Sequence, residues 1–216
     1  MQTIRAAVFD LDGTLWQPQS VVIPAYQRVF SQIGVPCPSE AVLLETLGHP
    51  FDVIWQKVLP GAEASVVTRA HDLMIEAERY YLHASEIVPF PGVEETLRLL
   101  LHQGVATFIL SNCQRDYLEL VPDRLGIGGL LTARYCAEDF PGLSKAEIIR
   151  TVRPLIERPA VMVGDRFHDI EAGRENGLLT IACRFGFGGD DEFMGADFLA
   201  QSFCEVQEII HGMVKA

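Results

Sequence analysis

The sequence predicts an α/β fold: a Rossmann-like, doubly wound parallel sheet with a small α-helical cap domain inserted after its first strand. Three observations predict it. Short apolar runs at 6–9, 105–110 and 160–163 are each bounded by turn residues, the mark of strands buried on both faces of a parallel sheet. From Val88 onward such runs alternate with stretches of helical period, the pattern of successive βα units. The stretch 17–87 carries helical patterning and no strand. The expected division is therefore a core domain of 1–16 and 88–216, and a helical cap of 17–87.

Taken in order, Ala6-Ala7-Val8-Phe9 is the first strand, and it runs out on Asp10-Leu11-Asp12-Gly13-Thr14. Trp16 to Ser20 is a polar break containing Pro18. Pro24 suits the first turn of a helix, so a helix is expected over 25–33 with its stop at Gly34. Ser39 is the expected N-cap of a helix over 40–47 that ends at Gly48. Helices over 51–58 and 62–81 follow, with Gly48-His49-Pro50 as a loop before them. The composition shifts at Val88-Pro89-Phe90-Pro91-Gly92. Beyond it the pattern predicts a helix over 93–102 and a strand over 105–110 ending on Ser111-Asn112. A helix over 116–125, a short strand over 134–137 and a helix over 145–156 capped by Ser144 come next. The strand over 160–163 ends on Gly164-Asp165, a helix covers 170–176, and 179–183 is the last strand.

At 216 residues with 49% hydrophobic and 21% charged residues, the chain has enough apolar material for one large core with an insert. A net charge of −12 argues against nucleic acid and against anionic membrane surfaces as partners. Cys37, Cys113, Cys136, Cys183 and Cys204 are odd in number, scattered, and contain no C-x-x-C pair. That usage fits a reducing cytoplasm rather than a disulfide scaffold or a zinc site. No leader pattern opens the sequence, and no apolar run approaches the roughly 18 residues of a membrane span. A cytoplasmic monomer or homodimer is expected.

The chemistry-bearing residues fall at strand ends, where ligands bind in open α/β sheets. Asp10 and Asp12, spaced i, i+2 after the first strand, can hold a hard cation, and one can attack phosphorus; a solvated turn is the plain alternative. Ser111 and Asn112 can present a hydroxyl and amides to phosphoryl oxygens, although both are also good turn formers. Lys145 opens a helix, a position where the macrodipole favours acids, and an exposed lysine is its ordinary reading. Asp165 and Asp169 flank a strand-to-helix junction, where Asp169 could equally be an N-cap.

Together these residues resemble the four motifs of the haloacid dehalogenase superfamily, in order along the chain: Asp10-Leu11-Asp12-Gly13-Thr14, Ser111-Asn112, Lys145, and Gly164-Asp165 with Asp169-Ile170. The phosphoglycolate-phosphatase-like subgroup, which carries a helical cap after the first motif, is the most similar in style. The resemblance implies a magnesium-dependent phosphatase acting on a small phosphorylated metabolite through an aspartyl phosphate on Asp10. In it Asp12 is general acid and base, Ser111, Asn112 and Lys145 bind phosphate, and Asp10, Asp12, Asp165 and Asp169 serve the Mg2+ site. Gly48-His49-Pro50 matches a cap loop that faces the active site in relatives, so His49 is a candidate substrate contact; an exposed turn histidine is the alternative.

Departures from the family pattern narrow the reading. An acid at Asp12 disfavours dehalogenase and phosphonoacetaldehyde hydrolase chemistry, and Lys57 is the only lysine in the insert. Gln17-Pro18 stands where many phosphoglycolate phosphatases have Asp-Ser, so phosphoglycolate is not carried over as substrate. Lys145-Ala146 stands where many relatives have Lys-Pro. A phosphomutase of the β-phosphoglucomutase type remains an alternative, as do a phospho-receiver module and a silent binding protein. His168 reads as solvated, Arg166 as exposed or substrate-facing, Phe51, Trp55, Tyr80 and Tyr81 as cap core, and Phe185 to Gly189 as a flexible loop.

Overall fold

The computed structural model describes residues 3–214. After β1 (Ala6–Phe9) come four helices, α1 (Gln19–Ile33), α2 (Glu40–Leu44), α3 (Phe51–Val58) and α4 (Ala64–Ala84). The βα alternation then runs α5 (Val93–His102), β2 (Ala106–Ser111), α6 (Arg115–Arg124), β3 (Ala133–Cys136), α7 (Lys145–Val152), β4 (Ala160–Gly164), α8 (Phe167–Glu175), β5 (Leu179–Cys183), β6 (Phe198–Ala200) and α9 (Phe203–Val214). All six strands join one sheet, in the order β3-β2-β1-β4-β5-β6, with every neighbouring pair parallel. The expected α/β fold is present.

The chain builds outward from β1 to β2 and β3, then returns to lay β4 on the other side of β1. The order therefore reverses between β1 and β4, and the loops leaving their carboxyl ends diverge to open a crevice there. Phe9 lies in register with Val163 on β4 and Ile109 on β2. Alternation along each strand sends side chains to opposite faces. Ala6, Val8, Phe108, Leu110, Ala160 and Met162 point to the face covered by α7 and α8. On the other face α5 packs against α9, and Phe9 meets Phe203 of α9 with ring centroids 6.3 Å apart.

The chain divides into two compact units, Pro18–Ile87 and the remainder. In the Pro18–Ile87 unit α1 packs along α4. Buried Trp55 meets Tyr26 edge-on at 6.3 Å and donates its Nε1–H to His71 Nδ1 at 3.3 Å. In the other unit, the segments flanking the insert are paired with each other. Trp16 forms an antiparallel bridge to Pro89, and the Phe90 N–H donates to the Leu15 carbonyl at 2.9 Å.

Several expected boundaries are corrected. α1 begins five residues before Pro24, which sits inside it; burial of Val21, Val22 and Ile23 outweighs the helix hydrogen bond that proline cannot make. α2 stops at Leu44 and continues only as turns, and α4 is displaced to Ala64–Ala84. α7 gives way at Val152 to a 3₁₀ turn containing Pro154. α8 starts at Phe167 rather than 170, so Asp169 is inside the helix and is not its N-cap. β5 is not the last strand, since β6 and α9 follow. Tyr80 is 56% exposed, with the Arg28 guanidinium 5.0 Å above its ring, and is not core. Among the described residues no helix is long and apolar enough to cross a membrane.

Candidate active site

The crevice between β1 and β4 gathers carboxylates from three elements. Asp10 is the first residue beyond β1, where its N–H still bonds the Val163 carbonyl at 2.8 Å. Asp165 is the first residue beyond β4, and Asp169 lies in the first turn of α8, where its Oδ2 accepts the Arg166 N–H at 3.0 Å. Carboxylate oxygens of Asp10, Asp165 and Asp169 lie within 4.8 Å of one another, and all three residues are buried.

Lys145 reaches the same place from the start of α7. That helix is anchored by a reciprocal capping box: the Glu147 N–H donates to Ser144 Oγ at 3.3 Å, and the Ser144 N–H to Glu147 Oε2 at 2.8 Å. Buried Lys145 puts its ammonium 2.5 Å from Asp10 Oδ1 and 2.7 Å from Asp169 Oδ1. The ordinary reading of an exposed lysine fails here. Burial pulls its pKa down, but Asp10 and Asp169 outweigh that and hold it above the usual lysine range.

Charge in this crevice is unbalanced. Burial pushes the Asp10 carboxyl up to about 7 against the pull of Lys145. Asp165 is held well above the usual carboxylate range, first by burial and then by Asp10 and Asp169. Three acids face one ammonium, and Asp10 Oδ2 is buried with no hydrogen-bond donor. Buried charge of this kind calls for a compensating cation. An all-oxygen carboxylate set suits a hard divalent ion, so the residues present fit a metal.

Asp165 is held by a cradle. Thr14 Oγ1 donates to its Oδ1 at 3.2 Å and the Phe187 N–H to its Oδ2 at 2.7 Å. A Cβ on Gly13 or Gly186 would collide with the Asp165 carboxylate, and one on Gly188 with its backbone carbonyl. The Phe185 to Gly189 loop thus orients an acid, a task its glycines hint at and its sequence alone does not specify. Arg166 is buried rather than exposed: it is 5% exposed and pairs through Nε with Glu192 Oε2 at 2.9 Å. His168 is half-buried, with its ring centroid 3.7 Å from that of Phe167.

Asp12 stands apart from the three-carboxylate cluster. Its Oδ1 accepts two hydrogen bonds at 2.9 Å, from Trp16 Nε1 and from the Tyr117 hydroxyl. Burial raises its carboxyl to about 6, against the opposing effect of these two donors. Tyr117 is 105 residues away in sequence, and no local pattern announces it. Ser111 ends β2 buried, with its Oγ accepting the Cys113 N–H at 3.2 Å, and Asn112 beside it is also buried. His49 lies in the insert unit, half-buried, with its N–H donating to the Thr46 carbonyl at 3.2 Å.

A doubly wound sheet with acids and a lysine gathered at the carboxyl ends of its central strands defines a class of α/β proteins that bind their ligand at the switch point of the sheet. Residues 7–183 match the family model of the haloacid dehalogenase-like hydrolases, and the chain belongs to that family. It is 25% identical over 189 residues to a 5′-nucleotidase of Pseudomonas aeruginosa, spanning 86% of this chain and 85% of that protein. It is 23% identical over 194 residues to a phosphoglycolate phosphatase of Pseudomonas putida, spanning 85% and 70%. A predicted phosphoglycolate phosphatase from Haemophilus somnus superposes with a TM-score of 0.84 at 18% identity, over 97% of this chain and 99% of that one. CbbY from Rhodobacter sphaeroides, crystallised with phosphate, superposes at 0.80 and 21% identity, over 94% and 96%.

Proposed function

We propose that the protein is a magnesium-dependent phosphatase of small phosphorylated metabolites that works through an aspartyl phosphate on Asp10. The observation that carries this reading is the buried Lys145 ammonium held between Asp10 and Asp169 beside Asp165. Relatives named as a 5′-nucleotidase and as phosphoglycolate phosphatases support it: their substrates share a phosphate ester and differ in what it is attached to.

Asp10, Asp165 and Asp169, with the Asp12 backbone, would hold Mg2+, which when bound neutralises charge on the phosphoryl oxygens. A carboxylate oxygen of Asp10 attacks phosphorus in line while the ester P–O bond breaks, and the leaving oxygen takes the proton carried by Asp12. Asp12, now a carboxylate, then accepts a proton from a water molecule as the water oxygen bonds to phosphorus. The bond from phosphorus to Asp10 breaks, inorganic phosphate leaves, and the Asp10 carboxylate returns. Lys145 holds Asp10 in place and lowers its repulsion of an anionic ester; Ser111 and Asn112 receive the phosphoryl oxygens. The Pro18–Ile87 unit acts as the cap, with His49 as a substrate contact.

The test is phosphate release from p-nitrophenyl phosphate and a panel of sugar, nucleotide and short-chain phosphates, with Mg2+, with EDTA, and with Asp10→Asn. Metal-dependent release that the variant abolishes is the expected result. No release from any ester by folded protein would refute the reading.

A further inference from the structure

We propose that Tyr117 and Trp16 are positioning residues for Asp12, which by donating to the same oxygen lock its carboxyl and reserve Oδ2 as the oxygen that carries the catalytic proton. The inference rests on the hydrolase reading above and goes beyond it.

The argument is geometric. Both donors converge on Asp12 Oδ1 at 2.9 Å. Trp16 is fully buried and Tyr117 is 6% exposed. One donor is local and one is distant in sequence. Trp16 is four residues beyond Asp12, in the segment clamped to Pro89, whereas Tyr117 stands in the first turn of α6, on a helix that packs against β3. Two donors on one oxygen, one from Asp12's own loop and one from α6, restrain rotation of the carboxyl about its Cβ–Cγ bond. With Oδ1 accepting from the Tyr117 hydroxyl and from the Trp16 indole N–H, a group that can only donate, a proton on Asp12 is favoured on Oδ2. The oxygen that gives the proton to the leaving group and later takes one from water is then the same atom, held in one place through both half-reactions.

The prediction is specific to leaving-group protonation. A p-nitrophenolate departs as a stable anion and needs little help, whereas an alkoxide needs its proton. The value of kcat/KM reports only steps up to departure of the leaving group, so the water step does not enter it. In Tyr117→Phe, kcat/KM for an alkyl ester such as glycerol phosphate should fall roughly tenfold more than for p-nitrophenyl phosphate, a fraction of what general acid catalysis supplies in total. Asp12→Asn should show the same bias in larger measure. Adding Tyr117→Phe to Asp12→Asn should change nothing further, because residues acting through one group are not additive. Trp16→Phe, which also removes core volume, is compared after a melting curve shows that it is folded.

Equal losses for both esters in Tyr117→Phe, or an additive effect on top of Asp12→Asn, would show a packing role and overturn the inference. Wild-type protein inactive on both esters would instead overturn the hydrolase reading and this inference with it.

Discussion

The Lys145 ammonium sits 2.5 Å from Asp10 Oδ1, and both side chains are buried. The pair, extended to Asp169, is the electrostatic hinge of the crevice. Its attraction does not by itself make the fold more stable than an apolar pair would. Removing one partner is another matter, because the carboxylates remain.

Lys145→Met tests this. Loss of the ammonium strands Asp10 and Asp169 without a counter-charge, so unfolding stability should drop by about 3–5 kcal/mol, reduced to the extent that they take up protons. Phosphate release should fall by at least about 100-fold, as for loss of a preorganised electrostatic group. Urea melts and ester hydrolysis read the two effects separately; a stability loss below about 1 kcal/mol would contradict the buried-pair account.

Metal binding and pH should be linked. The folded-state pKa of Asp10 is raised from 3.8 to about 7 and that of Asp12 to about 6. Groups raised in this way favour the folded chain in their protonated form. Their contribution is fully present below the unfolded value near 3.8 and is lost as pH rises through about 6 to 7. A divalent cation held by the Asp10 carboxylate has to displace the Asp10 proton, whereas the Asp12 carboxyl, outside the three-carboxylate cluster, keeps its own. The rise in melting temperature caused by Mg2+ should therefore be at least about twice as large near pH 8 as near pH 5.5, because protons compete at the lower pH. Equal shifts at the two pH values would count against Asp10 as part of the metal site.

Gly186→Ala probes the cradle from the outside. Its Cβ would strike the Asp165 carboxylate and push it off the Thr14 and Phe187 donors. Overpacking of this kind costs about 1–3 kcal/mol, and displacing a ligand by its supporting shell typically weakens metal binding about 10- to 100-fold. Gly129→Ala is the control, since a Cβ there meets nothing within 4 Å. A Mg2+ titration followed by thermal shift distinguishes the two variants.

Sequence patterning carried much of this molecule. β1, α3, α5 and β5 occupy the residues the sequence marks out, β1 by its apolar run and the others with Gly or Pro close by, and the strand-end carboxylates follow from the βα alternation. What was not legible depends on distance or on brevity. β6 has three residues, too few for a period to declare itself, and its middle side chain is exposed. Pro24 looked like a helix start because proline fits there; only the burial of Val21 to Ile23 shows the helix already under way. Asp169 is an acid in a first turn by local rules, and its bond to Lys145 spans 24 residues. Tyr117 and Phe187 reach Asp12 and Asp165 through the tertiary fold alone.

The antiparallel bridge between Trp16 and Pro89 means that the points where the chain leaves and re-enters the sheet are stitched together by the sheet-bearing unit itself. The two ends between which the helices are inserted are thus a socket fixed within the sheet-bearing unit. Closing a flexible loop costs only logarithmically more as the loop lengthens, so cassettes of different length and composition can be carried on the same socket without retuning the strands. Exchange of such segments suggests a practical design: graft a foreign helical insert between Gln17 and Val88, and leave the six-stranded sheet and its carboxylates as they are.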